Sequence, residues 1–276
     1  MPGLLSNQVA IVTGAGRGIG AATARLFAHQ GARVVVSDLD PEPAKAVVAE
    51  IAGAGGQALA VAGDVTDAAF PDRIMSATIE AYGKLNILVN NAGYTWDGVV
   101  HKMTDDQWQA MLDCHVTGPF RMIRAAAPHM REVAKQELAA GKTPEPRCIV
   151  NVSSTSGIHG NAGQVNYATA KMGVLGMTMT IAKEWGQFGI RCNCVAFGMI
   201  DTRLSRSKEL GESIDVHGSK VPLGIPETLR QMATMLIPLG RWGDAEEAAG
   251  GILMLASPYA SYVTGHCLEV TGGFGI

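Results

Sequence analysis

Val9-Ala10-Ile11-Val12-Thr13-Gly14-Ala15-Gly16-Arg17-Gly18-Ile19-Gly20 joins a short β-branched apolar run to a glycine-rich turn, and the architecture of the chain is read outward from it. Val9–Thr13 predicts a buried strand. A helical pattern follows the glycines, with Ala24, Leu26, Phe27 and Ala28 on or near one face, and Gln30-Gly31 stops it. Arg33–Ser37 predicts a second strand closed by Asp38, Pro41–Ala52 a helix ended by Gly53–Gly56, and Ala58–Ala62 a third strand. Asp67–Tyr82 reads as helix and Leu85–Val89 as strand. Thr104 is a suitable N-cap for a long helical pattern reaching about Val133, with Pro128 placed to kink its far end. Arg131–Pro146 is strongly charged and reads as a solvated extension and turn. Cys148–Val152, Ile190–Ala196 and Cys267–Val270 complete the strands; Asn166–Trp185 and Asp244–Ala256 complete the helices.

Strand and helix alternate almost throughout. That predicts an α/β fold, a parallel sheet of about seven strands with helices on both faces, in one domain over residues 1–276. Residues 202–241 break the rhythm. They hold Gly211, Gly218, Pro222, Gly224, Pro226, Pro238 and Gly240, yet also Leu204, Leu223, Ile225, Met232, Met235, Leu236 and Ile237. So much apolar content argues against disorder, and the insertion reads as a helical lid over a substrate pocket.

Composition excludes several classes of function. A formal net charge of −3 gives no nucleic-acid footprint. No apolar run is long enough to span a bilayer, and Met1–Gln8 lacks the basic and apolar regions of a signal peptide. The five cysteines form no Cys-x-x-Cys and the histidines show no metal-ligand spacing, which predicts reduced thiols, no metal and a cytoplasmic protein. Cys192 and Cys194 flank Asn193 on one face of a strand, where packing explains them.

A glycine turn between a strand and a helix lets backbone approach a pyrophosphate, and the helix N-terminus offers N–H groups to it. The spacing here is Thr13-Gly14-x-x-x-Gly18-Ile19-Gly20; a packing role for the glycines is the alternative. Asp38 lies 18 residues beyond Gly20. A carboxylate there accepts from an adenosine ribose and repels a 2′-phosphate, which favours NAD over NADP. Arg17 in the turn pulls the other way. Asp64 after the third strand is either a loop acid or an adenine contact. Asn90-Asn91-Ala92-Gly93 closes the fourth strand with small residues that let the chain pass close to a cofactor.

Tyr167-Ala168-Thr169-Ala170-Lys171 opens a helical stretch. Residues four apart share a helix face, so the phenol and the ammonium project together. A nearby cation favours the phenolate and lowers the phenol's pKa, which suits proton transfer to a substrate oxygen.

In order and spacing, Thr13-Gly14-x-x-x-Gly18-Ile19-Gly20, Asp64-Val65, Asn90-Asn91-Ala92-Gly93, Ser153-Ser154, Tyr167-x-x-x-Lys171 and the stretch from Asn193 to Thr202 resemble the short-chain dehydrogenase/reductase family over nearly the whole chain. Ser154-x-x-Gly157, Gly160-Asn161-x-Gly163-Gln164-x-Asn166-Tyr167 and Gly265–Gly273 resemble its 3-oxoacyl-carrier-protein reductase group. The resemblance implies a Rossmann-type doubly wound sheet. It implies that Ser154, 13 residues before the tyrosine, holds the substrate oxygen. It makes Tyr167 the acid/base and Lys171 the group that binds the nicotinamide ribose and lowers the tyrosine pKa. Gly14, Arg17, Gly18, Ile19, Gly20, Asp38, Asp64, Val65, Asn91, Ala92 and Gly93 then bind the cofactor, with Gly198, Ile200 and Thr202 around the nicotinamide. A homotetramer is implied as well, with the Thr104–Val133 and Asn166–Trp185 helices pairing across subunits.

Two positions depart from the family. His115 stands where an asparagine helps hold a water in the proton relay, so an altered relay is expected there, with packing against the active-site helix as the alternative. Phe197 replaces the proline before Gly198, which would reshape the nicotinamide edge. The reading that results is interconversion of a secondary alcohol and a ketone, on a 3-oxoacyl or 3-hydroxyacyl thioester or another hydrophobic small molecule. A non-catalytic dinucleotide-binding regulator of the same fold is the alternative. Sugar-nucleotide epimerase chemistry would usually bring a larger C-terminal domain.

Overall fold

The computed structural model describes residues 3–216 and 218–275. Seven strands form one parallel sheet: β1 (Val9–Val12), β2 (Arg33–Val36), β3 (Gln57–Ala60), β4 (Ile87–Asn90), β5 (Arg147–Ser154), β6 (Ile190–Phe197) and, last in the chain, β9 (Cys267–Val270). Their order is β3-β2-β1-β4-β5-β6-β9. The doubly wound sheet expected from the sequence is therefore present. Every residue of β1 and β4 is buried, as a strand covered on both faces requires.

Successive side chains feed the two faces in turn. Ala10, Val12, Val150, Val195 and Phe197 pack with α1 (Gly18–His29), α2 (Pro41–Gly53) and α9 (Ala245–Ala256). Ile11, Ile149 and Cys192 pack with α3 (Phe70–Tyr82), α5 (Gly118–Ala139) and α7 (Val165–Trp185). Strand order reverses between β1 and β4, which opens a crevice at the carboxyl ends of those strands.

The long helix expected from Thr104 is present but is not α-helical throughout. Thr104 forms a capping box with Gln107 at the start of α4 (Asp105–Leu112). A π-helical turn spans Asp113–Thr117, and α5 then runs to Ala139, well into the segment read as a solvated extension. Pro128 lies inside α5 without ending it. The extra turns are held by tertiary contacts. Met130 and Ala134 are buried, and Glu137 takes a bidentate pair of hydrogen bonds from Arg147, at 2.7 and 2.9 Å. A short helix that the sequence did not announce, α6 (Thr155–His159), follows β5 directly.

The described residues of the 202–241 segment are only partly helical. They contain an antiparallel hairpin of β7 (Ser213–Val216) and β8 (Ser219–Pro222), followed by α8 (Glu227–Met235). Leu223 and Ile237 anchor the segment in the core. Met232, Met235 and Leu236 face outward.

Candidate active site

The site is built where β5 meets α7. Ser154, the last residue of β5, caps α6 by accepting from Ser156 N at 3.2 Å. On the first turns of α7, Tyr167 and Lys171 face the end of β5. Lys171 is buried, and its Nζ donates to the Val152 carbonyl at 2.8 Å. The Ser153 hydroxyl donates to the Lys171 carbonyl at 2.7 Å, which gives Ser153 a structural role. Gly157 allows α6 to lie against this turn: a Cβ there would fall 2.8 Å from the Lys171 carbonyl carbon.

The ammonium lies 5.6 Å from the centre of the Tyr167 ring, and Ser154 is the side chain that favours its phenolate. Burial pushes the phenol up to about 12, against the opposing pull of Ser154. The net shift is thus upward, opposite in direction to the lowering expected from Lys171. Loss of water around the phenolate outweighs a cation whose own hydrogen bond goes to a backbone carbonyl. Burial likewise lowers Lys171 to about 8.

His115 sits in the π-helical turn and is buried. Such turns add a residue to a helix and recur at functional sites. The imidazole meets the Tyr167 ring edge to face, with centroids 5.1 Å apart. It also fills the space over Gly93, where a Cβ would lie 2.3 Å from its Cε1. Its Nε2 is 2.8 Å from the Tyr94 carbonyl, an acceptor, so Nε2 carries the proton and donates. Burial, then the Lys171 charge, holds the imidazole well below its ordinary pKa. Nδ1 is thus an unprotonated acceptor, buried and without a partner.

Several contributors were not singled out from sequence. Asn90 donates to Asn151 at 2.9 Å, and Asn151 to Thr178 at 2.9 Å, forming a buried amide ladder from the sheet into α7. Asn166 donates to the carbonyls of Trp96 and Gln107, holding the 94–98 segment on the start of α7. The Gln164 amide reaches both carboxylate oxygens of Asp97, whose charge raises the Tyr167 phenol. The segments carrying Asp97 and Gln164 also line an apolar groove of about 590 Å³, between Val99, Val100, Ala162 and Val165. Asn90, Gln164 and Asn166 lay within motifs already noted. Asp97 carried no local signal.

The glycine turn lies on the neighbouring side of the crevice. Gly14 takes a φ of +62°, and a Cβ on it would fall 2.7 Å from Ala92 Cα. The Asn91 side chain donates to the carbonyls of Thr13 and Gly14, at 2.9 and 3.1 Å, and Thr13 Oγ1 accepts from the backbone N–H groups of Asn91 and Ala92. The Asn91 amide is thereby committed to fixing the turn. Helix α1 begins at Gly18-Ile19-Gly20 with no side-chain cap and no acid in its first turn, so its leading N–H groups suit an anion. Asp38 accepts from Gly16 N at 2.9 Å and from Asp40 N at 3.2 Å. Arg17 is held by Asp40 at 2.9 Å. Thr202 approaches Gly18 from across the crevice.

The remaining positions are less directly placed. Asp64 Oδ1 accepts from both the N–H and the hydroxyl of Thr66, at 2.7 Å, as a loop acid does. Val65 packs on the core with α3 and α5. Gly198 donates to the Val270 carbonyl, and Ile200 is buried against the core on the α1 face. The Phe197 ring packs into that core as well. Among the described residues there is no cluster of three metal-ligating side chains, and no helix is long and apolar enough to cross a membrane.

The whole arrangement fits a dinucleotide. An open helix N-terminus and a carboxylate flank a turn with no room for a Cβ at Gly14, Gly16 or Gly20, and the Ser154–Tyr167–Lys171 group stands beyond them. Comparison with known proteins agrees. The short chain dehydrogenase family model matches residues 8–213. The chain is 38% identical over 272 residues to a 3-oxoacyl-[acyl-carrier-protein] reductase of Thermotoga maritima, covering 99% of each. It is 40% identical over 271 residues to a 3-oxoacyl-[acyl-carrier-protein] reductase of Synechocystis, covering 98% of this chain and 97% of that one. It is 34% identical over 269 residues to the BbsD subunit of (2S)-[(R)-hydroxy(phenyl)methyl]succinyl-CoA dehydrogenase of Thauera aromatica, with the same coverage.

Proposed function

The chain belongs to the short-chain dehydrogenase family, whose members are oxidoreductases that bind a nicotinamide dinucleotide, and from that premise we propose that it is an NAD(H)-dependent enzyme interconverting a secondary alcohol and a ketone on a hydrophobic acyl thioester. The observation that carries this reading is the convergence of Ser154, Tyr167 and Lys171 at the carboxyl edge of the sheet, beside the Gly14–Gly20 turn. When bound, nicotinamide gives or takes the hydride.

The protein's own groups do the rest. Ser154 and Tyr167 hold the substrate oxygen. A phenol at about 12 is protonated at neutral pH, so Tyr167 is set to donate when a ketone is reduced. Oxidation of an alcohol needs the phenolate, which is stabilised once positive charge joins Lys171 beside it. His115, through its ring contact with Tyr167 and its open Nδ1, fixes the phenol and offers an acceptor where the family carries an amide.

Asp38 supports NAD over NADP. Its carboxylate is held at the edge of the glycine turn, where a 2′-phosphate would meet like charge, and Arg17 is drawn away to Asp40. The acyl-thioester class rests on the names of the relatives, two acyl-carrier-protein reductases and an acyl-CoA dehydrogenase subunit, and on the apolar groove beside Asp97. Residues 202–241 form the lid over this substrate. A homotetramer accords with the exposed stripe of Val165, Met172 and Met179 along α7. Five free cysteines accord with a place in the cytoplasm.

The test is a panel of 3-oxoacyl thioesters and simple ketones, followed at the NADH absorbance with NADH and NADPH in parallel. Turnover of the thioesters with a preference for NADH is expected. Turnover with NADPH alone would remove the cofactor assignment, and activity confined to small alcohols would remove the substrate class.

A further inference from the structure

Cys194 and Cys267 are register partners on the adjacent parallel strands β6 and β9. Neighbouring strands run about 4.8 Å apart, inside the Cα separation of about 4.4–6.8 Å that a disulfide spans. Partners in a parallel pair project to the same face, here the face covered by α7. The neighbouring Cys194 thiol holds Cys267 below the usual thiol range, and Cys267 together with burial pushes Cys194 up.

The two differ in access. Cys194 is fully buried, whereas Cys267 is half-buried on the outermost strand of the sheet. The other three cysteines are all buried, and burial raises their thiols to between about 11 and about 12. One partly exposed cysteine on the edge strand therefore sits beside one buried cysteine able to resolve it.

We propose that Cys267 and Cys194 form a reversible oxidation site, in which a peroxide oxidises Cys267 to the sulfenic acid and Cys194 closes it to an intrachain disulfide across β6 and β9. In the first step the Cys267 thiolate attacks the O–O bond, an S–O bond forms, and the leaving oxygen departs as hydroxide or alkoxide and takes up a proton. In the second, the Cys194 sulfur attacks the Cys267 sulfur. The S–S bond forms, the S–O bond breaks, and hydroxide leaves with the Cys194 proton as water. The two cysteines lose two electrons in all and the peroxide gains them. A dithiol reverses the bond by exchange.

Two features make this more than incidental damage. Adjacent strands hold the Cβ atoms about a strand spacing apart, wider than the ~3.8 Å of a relaxed disulfide, so the bond is readily reduced. Cys194 also lies within electrostatic reach of Lys171, so the redox state is set beside the active-site amine. The bond would close a loop between positions 194 and 267 that contains the 202–241 segment and α9.

The test treats the full-length protein with hydrogen peroxide, blocks the remaining thiols and maps unreduced peptides by mass spectrometry. A peptide pair joined through Cys194 and Cys267 is expected, with titratable thiols falling from five to three. The unfolding temperature should rise by about 5 °C or more and return on adding dithiothreitol. Cys267→Ser should abolish the link and the shift, and Cys194→Ser should leave a dimedone-reactive sulfenic acid at Cys267. Sulfinic acid at Cys267 without a link in the unmutated protein, a Cys192–Cys194 or intermolecular bond in its place, or five unchanged thiols would each overturn the proposal.

Discussion

Lys171 Nζ donates to the Val152 carbonyl at 2.8 Å, on the same strand that ends two residues later in Ser154. The Lys171 carbonyl in turn accepts from Ser153. Strand β5 and helix α7 are thereby locked at one point, and the serine-to-tyrosine distance follows from a backbone contact more than from loop geometry. That makes the amine a structural as well as a chemical member of the site.

The buried position of Lys171 predicts a pH dependence. Its folded pKa of about 8 lies below its ordinary 10.5, so the ammonium is present at neutral pH and is lost as pH rises through about 8. kcat/KM for ketone reduction should fall about tenfold per pH unit above that point. Tyr167, at about 12, keeps its proton across this range. Stability should move the other way. Between about 8 and 10.5 the unfolded amine still binds a proton that the folded one has released, so rising pH favours the fold over that window. A rate profile flat to pH 10 would remove Lys171 from the charged role.

Asp38 sets cofactor choice. Asp38→Ser removes the carboxylate and leaves a hydroxyl that still accepts from Gly16 N. The NADPH-to-NADH ratio of kcat/KM should rise about 100-fold, equivalent to ~2.7 kcal/mol. An unchanged ratio in steady-state assays with both dinucleotides would place the discrimination elsewhere.

His115 is tested by His115→Asn and His115→Leu. The asparagine should retain kcat within about threefold, and the leucine should lose about tenfold or more, since only the amide keeps polar atoms beside Tyr167. Circular dichroism melts show whether both variants fold. Equal activity in the two would reduce His115 to packing against Gly93 and Tyr167.

The extended α5 depends on Arg147, 5% exposed, finding Glu137. Glu137→Ala strands a buried guanidinium and should cost about 3 kcal/mol, with an unfolding temperature lower by about 6 °C or more. The double change Glu137→Leu with Arg147→Met should regain most of that loss. Calorimetry on the three proteins decides the matter, and an unshifted single variant would show that the pair contributes nothing.

Much of this was legible in the residues. The period of the apolar runs gave the strands and their order of alternation with helices, because a strand buried on both faces cannot hide its β-branched content. The glycine turn and the Tyr167–Lys171 spacing were legible because both are local. What escaped depends on distant partners. The charged run after Arg131 looked solvated until Arg147 and Glu137 met. The π-helical turn at His115 is shaped by contacts with Gly93 and Tyr94, which lie on another element. The 213–222 hairpin is only four residues a side, and Ser213-Ile214-Asp215-Val216 alternates too briefly to stand out between Gly211 and Gly218. The direction of the Tyr167 shift was misjudged for a related reason: pairing is visible in a spacing, whereas desolvation is a property of the folded surroundings.

The most direct measurement is single-turnover kinetics on Tyr167→Phe, alongside NADH binding followed by fluorescence. Removal of one oxygen should cut the chemical step by about 10³-fold or more and leave the dinucleotide affinity within about threefold. A variant that still turns over at a comparable rate, or that no longer binds NADH, would contradict the assignment of Tyr167 as the group that moves the proton.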